Sequence, residues 1–209
     1  AAALNLSAVA INGLLEPGDH FIVNGDGDNE SIIGTKLGDF VNAGGGADSV
    51  SGGLGKDTLI GLDGDDVLRG EDANDQLFAG LGNDVIDGGL GDDFARTSNG
   101  NDTLVGGDGN DTLGAGSGKD FLRGNAGADL LLASNGNDTL TGDSGNDTLQ
   151  GGGGNDLLTG GAGDDRLVGG TENDRFNFAP GSGADVIVDF AEGAASGDVI
   201  GLFGYGAAL

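Results

Sequence analysis

Residues 106–114 read Gly106-Gly107-Asp108-Gly109-Asn110-Asp111-Thr112-Leu113-Gly114, and the same order of residue types returns, with substitutions, nine positions before and nine positions after. Extended in both directions, that ruler places an aspartate on every ninth residue without a miss: Asp39, Asp48, Asp57, Asp66, Asp75, Asp84, Asp93, Asp102, Asp111, Asp120, Asp129, Asp138, Asp147, Asp156, Asp165 and Asp174. Two residues after each aspartate stands an apolar residue. This column starts earlier, with Leu14, Val23 and Ile32, and runs through Val41, Val50, Leu59 and Leu68 to Phe176. Two residues before the aspartate stands glycine at Gly46, Gly55, Gly64, Gly82, Gly91, Gly100, Gly109, Gly118, Gly127, Gly136, Gly145, Gly154 and Gly163, with Leu37, Ala73 and Glu172 as exceptions. One unit is G-G-x-G-x-D-x-U-x, with U large and apolar.

Such a unit has two parts, a six-residue glycine-rich stretch expected as a turn and a three-residue stretch such as Thr103-Leu104-Val105 expected as a short strand. Side chains alternate along a strand, so U faces inward and its neighbours outward. A single unit cannot bury its one leucine, but stacked units bury a continuous column of them, which predicts a solenoid. The glycine that opens the turn alternates with period eighteen. It is present as Gly52, Gly70, Gly88, Gly106, Gly124, Gly142 and Gly160, whereas the interleaved units carry Ala43, Gly61, Ala79, Thr97, Ala115, Ala133, Gly151 and Gly169 there. Two units per coil follow, with two parallel sheets enclosing a thin core and one column of turns along each edge.

That stacking sorts the aspartates into two columns, one containing Asp57 and Asp111, the other Asp48 and Asp102. Equivalent carboxylates about 4.8 Å apart repel by roughly 3–4 kcal/mol at an effective dielectric of 20, so a bare ladder opposes folding. A hard divalent cation between neighbouring turns reverses that sign. Glycine lets main-chain carbonyls turn inward as further oxygen ligands, and flexible all-oxygen sites favour calcium over zinc, copper or magnesium. The expected metal ligands are the sixteen aspartates and the glycines at Gly55, Gly64, Gly82, Gly91, Gly100, Gly109, Gly118, Gly127, Gly136, Gly145, Gly154 and Gly163. Two columns of eight leave seven gaps each, a ceiling of fourteen inter-turn sites for the regular array.

The composition agrees. The 209 residues include 48 Gly and 35 Asp and Glu against 8 Lys and Arg, for a formal charge of -27, and neither Cys, Met nor Trp. Without repeats, so acidic and aromatic-poor a chain would sit near the disordered class. The charge disfavours nucleic acid and anionic membranes as partners and favours cations. Lack of cysteine excludes disulfides and thiolate metal sites, and no apolar run approaches the ~20 residues of a membrane helix. The start, from Ala1 to Ala10, has no basic region and no Met, as expected of a fragment or a processed chain.

Units such as Gly106–Leu113 and Gly160-Gly161-Ala162-Gly163-Asp164-Asp165-Arg166-Leu167 resemble the calcium-binding nonapeptide of RTX, or haemolysin-type, proteins. The resemblance spans residues 34–177. It implies an all-β, right-handed parallel β-roll with calcium held between successive turns on each edge. It also implies export from a Gram-negative bacterium by type I secretion, with folding triggered by calcium outside the cell. The segments Asp174–Phe178, Asp185–Phe190 and Gly197–Leu202 resemble the stretch that caps the roll in many RTX proteins. The expected organisation is an N-terminal cap with degenerate repeats over 1–33, the roll over 34–177 and a C-terminal capping segment over 178–209. Within the first, Gly25–Glu30 keeps the repeat register with Glu30 in the aspartate's place.

Catalytic readings fail on the residues. Gly142-Asp143-Ser144-Gly145 looks like part of a serine-nucleophile motif, but it falls in the turn register and the only histidine, His20, is many coils away. Lys56 and Lys119 follow glycine as in a phosphate loop, yet Asp57 and Asp120 replace the required Ser or Thr. Acidic pairs such as Asp65-Asp66 fit repeated cation binding better than a glycosidase dyad. The chain is expected not to be an enzyme itself. Three roles stay open: a structural and secretion module of a larger exported protein, a surface-assembly or adhesion protein, or an accessory module beside a catalytic domain outside this chain. On the sheet after the Asp57 column, Phe40, Ile60, Phe78 and Phe94 are expected to adjoin as an exposed apolar strip facing a neighbouring domain or subunit.

Overall fold

The computed structural model describes residues 22–191 and 197–204. Among these residues there is no helix. Twenty strands, from Ile22–Asn24 to Val199–Leu202, alternate strictly between two ten-stranded sheets, each sheet taking every second strand. All pairings are parallel and each coil is eighteen residues in the regular region, as in Val41↔Leu59↔Leu77 on one sheet and Val50↔Leu68↔Ile86 on the other. The molecule is a β-roll with two units per coil.

The core is a single file of inward side chains from each sheet. Leu59, Leu68, Leu77, Ile86, Leu104 and Leu113 are fully buried, and the file continues to Phe176. A second inward position, four residues after the aspartate, holds Gly, Ala or Thr as far as Gly169 and then Phe178, and Ala43, Ala79, Ala115 and Ala133 add small contacts there. The roll takes in strands Ile22–Asn24 and Ser31–Ile33, whose Val23 and Ile32 belong to the core. His20 and Leu14 lie outside the described residues.

Strand length corrects the sequence reading. Most strands run six residues, such as Thr58–Asp63 and Thr139–Ser144, so pairing continues well into the glycine-rich stretch and leaves only three residues to turn the corner. Pairing can continue because the residue four before the aspartate takes positive φ, as at Gly44, Gly53 and Gly107, which packs its backbone against the coil before it. A side chain is awkward there. Leu62, Glu71, Asn125, Ser134 and Asp143 nevertheless occupy that place with positive φ, at a cost of roughly 1–2 kcal/mol each. Two consecutive turns on one edge depart from this form. Strands Phe94–Arg96 and Thr112–Gly114 stop after three residues, and the turns that follow lack positive φ at Ser98 and Gly116.

Phe40, Ile60, Phe78 and Phe94 occupy one sheet face in two rows. Phe40 shares its row with Thr58, Gln76 and Phe94, while Ile60 adjoins Phe78 in the other. The rings of Phe78 and Phe94 meet diagonally, with centroids 5.8 Å apart.

Candidate metal sites along the two edges

All sixteen aspartates of the ruler are buried, none more than 3% exposed. Each is fixed by the coil stacked on it, because an aspartate's backbone N–H donates to Oδ1 of the aspartate eighteen residues later. Asp93 N–H donates to Asp111 Oδ1 (2.8 Å), Asp111 N–H to Asp129 Oδ1 (2.8 Å), and Asp84 N–H to Asp102 Oδ1 (2.9 Å). The ladder is therefore half compensated, where the sequence had suggested bare carboxylates. Oδ2 is different: in fifteen of the sixteen, every one except Asp39, it is buried with no hydrogen-bond partner among the described residues. At Asp39, the backbone N–H of Thr35 donates to Oδ2 (2.6 Å) and the Thr35 hydroxyl to Oδ1 (3.1 Å).

The unpartnered oxygen lies against the residue that opens its own turn. A Cβ added at Gly52, Gly70, Gly88, Gly106, Gly124, Gly142 or Gly160 would overlap the carboxylate of Asp57, Asp75, Asp93, Asp111, Asp129, Asp147 or Asp165. That explains the unbroken glycine on this edge. On the Asp48 edge only Gly61, Gly151 and Gly169 preserve the same open space, and Ala43, Ala79, Thr97, Ala115 and Ala133 fill it.

Burial without a partner shows in the carboxyl pKa values. Desolvation, opposed by the backbone hydrogen bond and reinforced by neighbouring carboxylates, pushes Asp57, Asp66, Asp111 and Asp129 up to about 6 and Asp75, Asp84 and Asp156 up to about 7. No basic group relieves them: the ion pair formed among the described residues, Arg123 with Asp143, lies at the surface.

Nowhere among the described residues do three or more His, Cys, Asp or Glu side chains converge as a metal cluster. A cation on these edges would draw instead on one or two aspartates and the main chain. Suitable carbonyls are present. The twelve glycines from Gly55 to Gly163 expected as ligands all have positive φ, and among the described residues their carbonyls accept no backbone N–H. Buried carboxylate oxygens without donors, together with free carbonyls in the same turns, make a hard, all-oxygen donor set that fits calcium.

Several residues outside the expected ligand set join the two edges. Glu30, in the aspartate's place of the first coil, is buried with Oε2 unpartnered, and its N–H donates to Asp48 Oδ1. Where the residue preceding an aspartate is Asn or Asp, it commonly joins a second, exposed and interrupted ladder of opposite direction: Asn101 N–H donates to Asn83 Oδ1, and Asn155 N–H to Asn137 Oδ1. Repeated Asn-Asp pairs were its visible signal. Beyond the ruler, Asp185 Oδ1 accepts from Asp165 N–H and Asp198 Oδ1 from Asp174 N–H, so both columns continue with irregular spacing.

The family model for the RTX calcium-binding nonapeptide repeat (4 copies) matches residues 24–59, 51–86, 60–95, 87–122, 114–149 and 141–176. No curated protein matches the chain.

Proposed function

The chain belongs to the RTX calcium-binding nonapeptide repeat family, and from that premise we propose that it is a β-roll held together by calcium at its edges, serving as a structural and secretion module of a type I-secreted bacterial protein. The observation that carries this reading is the column of buried Oδ2 atoms without donors. Buried unpaired carboxylates are strongly unfavourable, and a divalent cation between coils converts each from a cost into a ligand. Asp48 and the aspartates from Asp57 to Asp174 would each offer Oδ2, and the twelve glycines from Gly55 to Gly163 their carbonyls. Asp39, already bonded on both oxygens, contributes least.

Coupling of folding to calcium suits a chain that must stay extended where calcium is scarce and fold where it is abundant, outside the cell. Side chains in the turns are engaged by neighbouring coils. Ser144, for example, spends its hydroxyl on the Asn125 carbonyl (3.1 Å). An accessory role beside a separate catalytic domain is compatible with the same chemistry.

Circular dichroism tests the reading. With chelator the chain should be largely coil, and calcium should convert it to β-structure with a midpoint of roughly 0.1–1 mM, as for extracellular calcium modules. Magnesium at equal concentration should do much less. Full β-structure in chelator would contradict the reading.

A further inference from the structure

The ninefold ruler ends at Asp174, and the family match ends at residue 176. The roll does not end there. Pro180-Gly181-Ser182-Gly183-Ala184-Asp185-Val186-Ile187-Val188 has the order of a repeat unit with proline in the opening position, displaced from the ruler by the two residues Phe178 and Ala179. Its geometry is that of a repeat turn from the Ser182 carbonyl onward, while at its start Ser182 N–H donates to Ala179 O within the turn and Gly181 does not pack on the preceding coil. Gly181 and Gly183 have positive φ, as the residues four and two before the aspartate do elsewhere. Gly163 N–H donates to Ser182 O as Gly145 N–H does to Ala162 O. Ala184 N–H donates to Asp164 Oδ1 as Asp164 N–H does to Asn146 Oδ1. Asp165 N–H donates to Asp185 Oδ1 (3.1 Å) as Asp147 N–H does to Asp165 Oδ1 (2.9 Å). Val186 N–H donates to Asp165 O, and Ile187 pairs with Leu167.

The last turn on the other edge is built differently. Asp198 also stands in the aspartate's place, but both of its oxygens accept amides, Oδ1 from Asp174 and Oδ2 from Ala191 (2.7 Å). Asp189 is likewise committed, its two oxygens accepting the N–H groups of Gly169 and Gly170. At Asp185 only Oδ1 accepts an amide among the described residues, and the Asp165 carboxylate beside it keeps a buried Oδ2 without a partner.

We propose that Pro180–Val188 is a further repeat unit and that Asp185 is a calcium ligand, so that the Asp57 edge carries one cation beyond the matched repeats while the Asp48 edge is closed at Asp198 by hydrogen bonds alone. This rests on the calcium reading above. The spacing of twenty residues between Asp165 and Asp185 hides the unit from any ninefold count, and the pairing restores it. Proline in the opening place departs from the glycine that the Asp57 edge carries there from Gly52 to Gly160.

The test is the anomalous difference map of the full chain crystallised with calcium and then exchanged into terbium. A peak is expected between the turn at Gly160–Asp165 and the turn at Pro180–Asp185, and none between Asp174 and Asp198. Peaks along the remainder of the Asp57 edge with none at Asp185 would overturn this inference and leave the calcium reading standing; no peak anywhere would overturn both. In solution, native mass spectrometry of Asp185→Asn should show one calcium fewer per chain, and Asp198→Asn no change. An unchanged count in Asp185→Asn, or an equal loss in both, would refute the assignment, and should Asp185→Asn fail to fold, the wild-type map decides.

Discussion

The two edges of the roll carry the same aspartates, the same amide-to-Oδ1 ladder and the same unpartnered Oδ2, yet they differ in the room left beside that oxygen. On the Asp57 edge every turn from Gly52 to Gly160 opens with glycine, and a methyl group there would strike the carboxylate. On the Asp48 edge alanine or threonine takes that place in five turns, and the consecutive turns before Asp102 and Asp120 lack the positive φ that the others have four residues before the aspartate. The lesson is that a nine-residue period can repeat perfectly in its aspartate while the ligand pocket around it does not. One edge is a uniform ladder, and the other is graded.

Proton concentration should produce the largest effect, and it is the perturbation on which the edges should agree. Burial raises the carboxyl pKa of Asp57 and Asp66 to about 6 and of Asp75 and Asp84 to about 7, so on both edges these groups stand above the ordinary value that they regain on unfolding. The calcium-free folded state therefore binds more protons than the unfolded state between about pH 4 and 7, and its stability rises as pH falls through that window. In calcium the sense is opposite, because protons compete for the same oxygens. We expect chelated protein to gain β-structure on acidification towards pH 4, and the calcium midpoint at pH 5.5 to lie several-fold above that at pH 7.5. A calcium midpoint independent of pH would break the link between Oδ2 and the cation.

Steric substitution should separate the edges. Gly106→Ala places a methyl on the Asp111 carboxylate and should destabilise the calcium-loaded roll by about 1–3 kcal/mol, the usual range for overpacking. Ala115→Gly, at the same place on the other edge, should cost only about 0.5–1 kcal/mol through chain entropy. Thermal unfolding in saturating calcium reads both, and equal losses would mean that the opening glycine has no special relation to the carboxylate. A smaller difference is expected between aspartates. Asp111→Asn, in a turn with positive φ at Gly107 and Gly109, should raise the calcium midpoint more than Asp102→Asn, whose turn lacks positive φ at Ser98. Identical midpoints would mean that the graded edge is graded in shape alone.

Much of this architecture was legible in the sequence, because a period of nine with one aspartate and one apolar residue leaves few ways to bury anything except by stacking. The period of eighteen in Gly52, Ala43 and their equivalents revealed two units per coil for the same reason. What escaped was whatever depends on contact between coils. The continuation of strands through Gly44 and Leu62, the Asn83–Asn101 ladder and the bonding of Oδ1 by the preceding coil's amide are interactions at a separation of eighteen residues, invisible to a unit read alone. Asp185 escaped because two inserted residues displace it from the ruler while leaving its pairing with the coil beneath intact.

On this reading the aspartate ladder is ordered only when calcium fills the space beside Oδ2. Residue-resolved hydrogen exchange of the aspartate amides tests it most directly, since each of these N–H groups donates to the carboxylate eighteen residues on. In calcium we expect the amides of Asp93, Asp111 and Asp129 to be strongly protected, and in chelator at neutral pH to exchange at the rate of an unfolded chain. Protection that persists undiminished in chelator would show that the ladder holds without the metal and would contradict the claim.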